Sequence, residues 1–135
     1  MHECAPSKNF KIMDIEKIFK RVPDCSFTVH SGLGPGLLES SYVECLAFEI
    51  EQSGLKVEKQ KPLPLIYKSV KLEAGYRIDL LIENCIIVEV KSIDNLADNH
   101  LAQILTYLKL SDCHIGLLVN FNVEHLKDGI RRVVL

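Results

Sequence analysis

No apolar stretch of this chain approaches the roughly 20 consecutive residues that a membrane-spanning helix requires, so a helical membrane protein is excluded. The first residues (MHECAPSKNFKIMDIEK) lack the hydrophobic centre of a secretory signal. The expectation is therefore an intracellular, cytoplasmic protein without membrane contact. The five cysteines (Cys4, Cys25, Cys45, Cys85 and Cys113) are odd in number and form no CxxC pair. That spacing disfavours zinc or iron–sulfur ligation and leaves buried, reduced thiols as the expectation. A basic excess is missing too, since the formal net charge is −2. This argues against unaided tight binding to DNA, though not against an enzyme with a local basic track. Internal repeats and low-complexity segments are also absent. What remains is ordinary globular composition, 47% apolar and 25% charged, over a length of 135 residues that suits one compact domain with a real core.

Along the chain, residues 1–12 read as a flexible arm. DIEKIFKRVPDCSFTVHS has apolar residues near helical spacing, with Pro23 expected to break the helix. GLGPG then makes a turn, and LLESSYVECLAFEIEQSG gives an amphipathic helix ending at Gly54. LKVEKQKPLPLIY alternates and meets Pro62 and Pro64, which predicts an edge strand. VKLEAGYRIDLLIE and CIIVEVKS predict two strands around Asn84, DNLADNHLAQILTYLKLS a helix, and HIGLLVNF a buried strand. NVEHLKDGIRRVVL closes with a helical turn and a last strand. The order predicts a mixed α/β sheet with helices packed against it.

The strands around Asn84 hold three charges, Asp79, Glu89 and Lys91, inside two of the most apolar runs of the chain. A charge buried without a partner costs several kcal/mol at the least, so these residues need a partner or a metal. Glu89 and Lys91 are two apart and share one face of a strand. Asp79 joins them only when paired positions sum to 168, which requires a loop of Glu83, Asn84 and Cys85. A two-residue turn at Glu83–Asn84 would put Asp79 and Glu89 on opposite faces unless a bulge restored the phase. If they converge, two carboxylates repel each other and a hard divalent cation relieves the repulsion. The bland reading is a solvated Glu89–Lys91 ion pair, worth at most about 1 kcal/mol.

Glu39 opens the first amphipathic helix, with Tyr42 one turn further on; helix-dipole compensation and core packing account for such residues as readily as function does. His100, Gln103 and Tyr107 form one polar stripe on the later helix, which suits either a solvent face or donors toward a phosphate.

Gly36-x-x-Glu39-x-x-Tyr42 in GPGLLESSY, Asp79 in GYRIDLLIE, Glu89 and Lys91 in VEVK, and Gln103-x-x-x-Tyr107 in QILTY occur in this order. Together they resemble the GxxExxY family of the PD-(D/E)XK nuclease superfamily, with a RecB-type motif layout. The resemblance runs from about residue 13 to the C-terminus. It implies one domain over 13–135 with a restriction-endonuclease-like core, an α/β fold whose mixed β-sheet is flanked by helices. The activity it implies is metal-dependent hydrolysis of phosphodiester bonds in nucleic acid, DNA first. Asp79 and Glu89 match the ligands of Mg²⁺ or Mn²⁺, Glu39 adds a carboxylate, and Lys91 matches the catalytic lysine. Gln103 and Tyr107 match the motif that shapes the site and contacts DNA, and Tyr42 and His100 join them as candidate substrate-binding residues. His30, nine residues before Glu39, is a weaker candidate. The cysteine group that holds an iron–sulfur cluster in some RecB-type relatives is missing, as is any helicase or DNA-binding module. Two readings compete: a catalytically silent nucleic-acid- or protein-binding module on the same fold, and a structural dimerisation domain. A homodimer, and a partner protein that targets the substrate, fit the nuclease reading.

Overall fold

A computed structural model describes residues 12–135. The arm expected over residues 1–12 lies outside the described residues except for Ile12, which opens helix α1 (Ile12–Leu33). Ile18, Phe19, Val22, Cys25 and Val29 recur at threes and fours along α1 and are all buried in one cluster. The break expected at Pro23 does not occur; the helix runs through it. An internal proline costs about 3 kcal/mol, while each large apolar side chain buried on either side of it returns about 1.5–3 kcal/mol. Tertiary packing therefore outweighs the local penalty.

Gly34 and Gly36, at φ of 66° and 102°, reverse the chain into helix α2 (Glu39–Gln52). Tyr42, Val43, Leu46, Ala47 and Ile50 form the buried face of α2, and Gly54 follows its end at φ 96°. Strand β1 (Val57–Pro62) leads into a separate hairpin of β2 (Leu65–Tyr67) and β3 (Val70–Leu72). Next come β4 (Arg77–Ile82), β5 (Ile86–Lys91), helix α3 (Asp98–Ser111), β6 (Ile115–Asn120), a 3₁₀ turn at Leu126–Asp128 and β7 (Ile130–Val134). The single strand expected over VKLEAGYRIDLLIE is thus divided. Gly75, at φ 79°, turns the chain between β3 and β4, and the Leu63 N–H donates to the Tyr76 carbonyl at 2.8 Å. That bond closes the root of the β2–β3 hairpin and lets β1 pair with β4 as an edge strand.

The main sheet has the order β1-β4-β5-β6-β7. Only β5 and β6 run parallel, as a strand–helix–strand unit through α3 requires; the other neighbours are antiparallel. One face of the sheet packs on α1 and α2 through Leu80, Ile82, Val88, Val90, Leu117 and Val119. The other packs on α3 through Leu81, Ile87 and Leu118 against Ile104, Tyr107 and Leu108. All six residues of β6 are buried, as a strand covered on both faces should be. Among the described residues, no helix is long and apolar enough to cross a membrane.

Candidate active site

The hairpin of β4 and β5 pairs Ile82 with Ile86, Leu81 with Ile87 and Leu80 with Val88, so the loop is Glu83, Asn84 and Cys85. Glu83 and Asn84 take positive φ (48° and 57°) to make it. Of the two registers open from sequence, this one sets Asp79 across from Glu89. The ladder then stops. The register to β1 also steps over Asp79, from Lys59 with Leu80 to Lys61 with Ile78, and Gln60 sits at φ 52°. Ile78 and Leu80, two apart on one strand, accordingly pack on opposite faces of the sheet. One residue is passed over on each strand, Gln60 on β1 and Asp79 on β4, so the register is unchanged while the side chains of β4 change face at Asp79.

Side chains take over where the ladder ends. The Asp79 N–H donates to Glu89 Oε2 at 2.8 Å, and the Val90 N–H donates to Asp79 Oδ2 at 2.9 Å. The two carboxyls lie close enough to shift each other's proton affinity. Glu89 is buried, with 3% of its surface exposed. Burial pushes its carboxyl up to about 8, and the adjacent Asp79 charge adds to the rise. Burial also raises Asp79, against the pull of the Val90 N–H and Lys91, and Glu39 pushes it further up. The pair therefore retains a proton near neutrality, because Lys91 and the backbone N–H groups do not offset the cost of burying two negative charges.

Lys91 extends from the same face of β5 as Glu89, toward α3. Its Nζ donates to Gln103 Oε1 at 2.8 Å, and Gln103 Nε2 donates to the Tyr107 hydroxyl at 3.2 Å. Tyr107 is buried; its phenol is raised by that burial and then by the charge of Glu89. Lys91, Gln103 and Tyr107 thus form a fixed chain beside the carboxylates. Glu39 arrives from the N-terminus of α2, where its Oε1 accepts the Ser92 N–H at 3.3 Å.

Other candidates sit elsewhere. Tyr42 is fully buried and stacked on Phe121 at 4.5 Å. Its hydroxyl donates to the Gly34 carbonyl and accepts the Leu37 N–H at 3.2 Å. It fixes the loop that delivers Glu39 and has no surface left for a substrate. His100 accepts the Ala97 N–H on Nδ1 at 2.9 Å, which caps its own helix and leaves only Nε2 for another role. His30 Nε2 bonds to the Val123 carbonyl at 2.7 Å and its ring stacks on Phe121, tying α1 to the segment after β6.

Two supporting residues escaped the sequence reading. Ser92 Oγ donates to the Leu37 carbonyl at 2.6 Å, joining the end of β5 to the loop before α2. Asn120, 1% exposed and paired with Lys91 in the parallel register, holds both backbone groups of Ile93 and the N–H of Asn122. The one available hint was a buried amide closing the apolar run GLLVNF. Burial also raises the thiols of Cys25 and Cys85, that of Cys85 to about 11, so neither suits ligation or nucleophilic attack.

Among the described residues, no group of three or more His, Cys, Asp or Glu side chains is arranged to hold a metal. The Asp79–Glu89 pair nevertheless fits a hard divalent cation, because Mg²⁺ commonly takes one or two carboxylates and completes its octahedron with water and phosphate oxygens. The donors are all oxygen, and burial of Glu89 beside Asp79 raises its carboxyl, a cost that a bound cation would offset.

Searches of curated proteins and of solved structures returned no match. A family model for the PD-(D/E)XK nuclease superfamily does match, over residues 16–133. That span contains every residue of the cluster and nearly the whole described fold. The five-stranded mixed sheet flanked by three helices agrees with it as an α/β, restriction-endonuclease-like arrangement. On fold, on the acidic hairpin and on this match, the chain belongs to the PD-(D/E)XK nuclease superfamily.

Proposed function

We propose that this chain is a cytoplasmic, Mg²⁺- or Mn²⁺-dependent nuclease of the GxxExxY type, a single domain over residues 13–135 that hydrolyses phosphodiester bonds of DNA. The observation that carries the reading is the Asp79–Glu89 pair, Glu89 buried and Asp79 half-buried, with its proton affinity raised and Lys91 alongside. Asp79 and Glu89 would hold the cation, with Glu39 adding negative charge at its rim. A divalent ion there supplies Lewis acidity toward a phosphoryl oxygen and lowers the pKa of water. Lys91, anchored by Gln103, stabilises negative charge developing on the phosphate or orients the attacking water. Gln103 and Tyr107 keep Lys91 at a fixed position, so the ammonium needs little reorganisation during reaction.

The test is cleavage of labelled DNA by the wild type and by Asp79→Asn with Mg²⁺ or Mn²⁺. The expected result is turnover by the wild type and a loss of at least about 100-fold in the variant, with an unchanged circular dichroism spectrum. Equal turnover in both would overturn the assignment.

One observation favours a second reading, the silent binding module. Glu39 is engaged with the Ser92 N–H, and a third metal-holding side chain is lacking among the described residues. That reading expects nucleic-acid binding by the wild type without turnover in either metal.

A further inference from the structure

The β2–β3 hairpin stands off the main sheet, and a lone two-stranded hairpin is marginally stable in water. Here it also leaves large apolar side chains in solvent: Tyr67 is 60% exposed, Val70 54%, and Tyr76 at its root 41%. The same stretch is the basic part of an acidic chain. Residues 59–77 carry Lys59, Lys61, Lys68, Lys71 and Arg77 against Glu73 alone, a net +4 in a chain whose total is −2. Lys59 and Lys61 are matched by Glu44 and Glu58. Among the described residues, Lys68 and Arg77 have no carboxylate within ion-pair distance, and Lys71 has only exposed Glu73 at 3.7 Å. The Lys68 Nζ lies 5.5 Å over the Tyr67 ring, so a cation and an aromatic face are offered together.

The hairpin is continuous with the acidic cluster. Tyr76 meets Tyr107 with ring centroids 6.0 Å apart, and Tyr107 is hydrogen-bonded to Gln103, which holds Lys91. Arg77 is two residues before Asp79. Exposed aromatic faces alternating with cations suit a strand whose bases are free to stack and whose phosphates follow the basic groups. Duplex bases are already stacked on each other. Protein interfaces deplete lysine, which is abundant here.

We infer that the β2–β3 hairpin and its root are a binding arm for single-stranded nucleic acid, leading the strand toward the Asp79–Glu89 cluster. Tyr67 and Tyr76 stack bases, and Lys68, Lys71 and Arg77 contact phosphates. The direction toward the cluster rests on the nuclease reading; the binding arm does not.

The experiment is fluorescence anisotropy of a fluorescein-labelled oligothymidine of about 20 nucleotides with the full chain, in EDTA so that hydrolysis does not interfere. A blunt duplex of equal length serves as the comparison. The single strand should bind more tightly than the duplex. Combining Tyr67→Ala with Tyr76→Ala should weaken single-strand binding at least about 10-fold and change duplex binding little. Should that variant fail to fold, Tyr76→Leu keeps apolar contact with Tyr107 and removes the stacking face. Combining Lys68→Gln with Lys71→Gln should reduce the slope of log affinity against log salt by about 1.4. Wild-type affinity in folded variants would overturn the arm. So would no wild-type binding, or a changed elution volume with unchanged affinity, which would make the hairpin a contact between copies of the chain. Tight binding that depends on the tyrosines, without cleavage in Mg²⁺, would sink the nuclease reading alone.

Discussion

Glu89→Gln should make the protein more stable at alkaline pH and remove most of its pH dependence. The Glu89 carboxyl rises from an ordinary 4.5 to about 8 through burial and the Asp79 charge. A raised carboxyl keeps its proton in the fold while the unfolded chain releases it. The stability linked to that proton is complete below about pH 4.5 and is lost as pH climbs through about 8. The slope reaches about 1.4 kcal/mol per pH unit and flattens near each pKa, which leaves roughly 4 kcal/mol lost by about pH 8. Glutamine keeps the shape and an oxygen for the Asp79 N–H, yet cannot ionise. Urea denaturation in EDTA at several pH values reads the difference directly. Wild type and variant should be close at about pH 5, with the variant ahead by roughly 4 kcal/mol at about pH 8. Adding Mg²⁺ at about 100 times its dissociation constant should then return about 3 kcal/mol to the wild type and little to the variant. Parallel stability curves for the two proteins would refute the argument, because Glu89 would then be ionised in the fold like any surface carboxylate.

Lys91→Ala should reduce DNA cleavage by about 100- to 1,000-fold at saturating substrate while leaving thermal stability nearly unchanged, as checked by single-turnover kinetics. At Gly129, an added Cβ would lie 2.2 Å from the Asn120 carbonyl oxygen, whose backbone cannot swing aside. Gly129→Ala should therefore cost about 1–3 kcal/mol in chemical denaturation and weaken metal binding through Asn120 and Ile93. Tyr42→Phe keeps the stack on Phe121 but leaves the Gly34 carbonyl and the Leu37 N–H without their hydroxyl partner. It should cost about 1–3 kcal/mol, measured by denaturation, and lower activity through the loop that carries Glu39.

Much of the cluster was legible because backbone geometry is local. Residues two apart on a regularly paired strand share a face, so VEVK alone placed Glu89 beside Lys91. Residues three or four apart on a helix are neighbours, so the likeness of Gln103 and Tyr107 to one functional unit could be read from QILTY. The glycine turn before Glu39 and the glycine after α2 were visible because few other residues accept positive φ. The hairpin was legible only as a choice between two registers.

Tertiary structure settled what local geometry left open. It chose the register of β4 and β5, since only that pairing buries Leu80 and Ile82 against α1 and α2 and Leu81 against α3. It carried α1 through Pro23, because the apolar stripe on both sides had one cluster to fill. It withdrew Tyr42 into the core and spent His100 on its own helix, roles that depend on what each residue meets rather than on its spacing. The change of face at Asp79 was hidden for the same reason: a strand leaves its ladder only where side chains from a neighbour can satisfy the exposed amides. Periodicity is a property of the chain itself, so the sequence determined which residues share a face. The meeting of Asp79 with Glu89 and of Lys91 with Gln103 is a property of sheet register and helix docking, and that only the folded molecule decided.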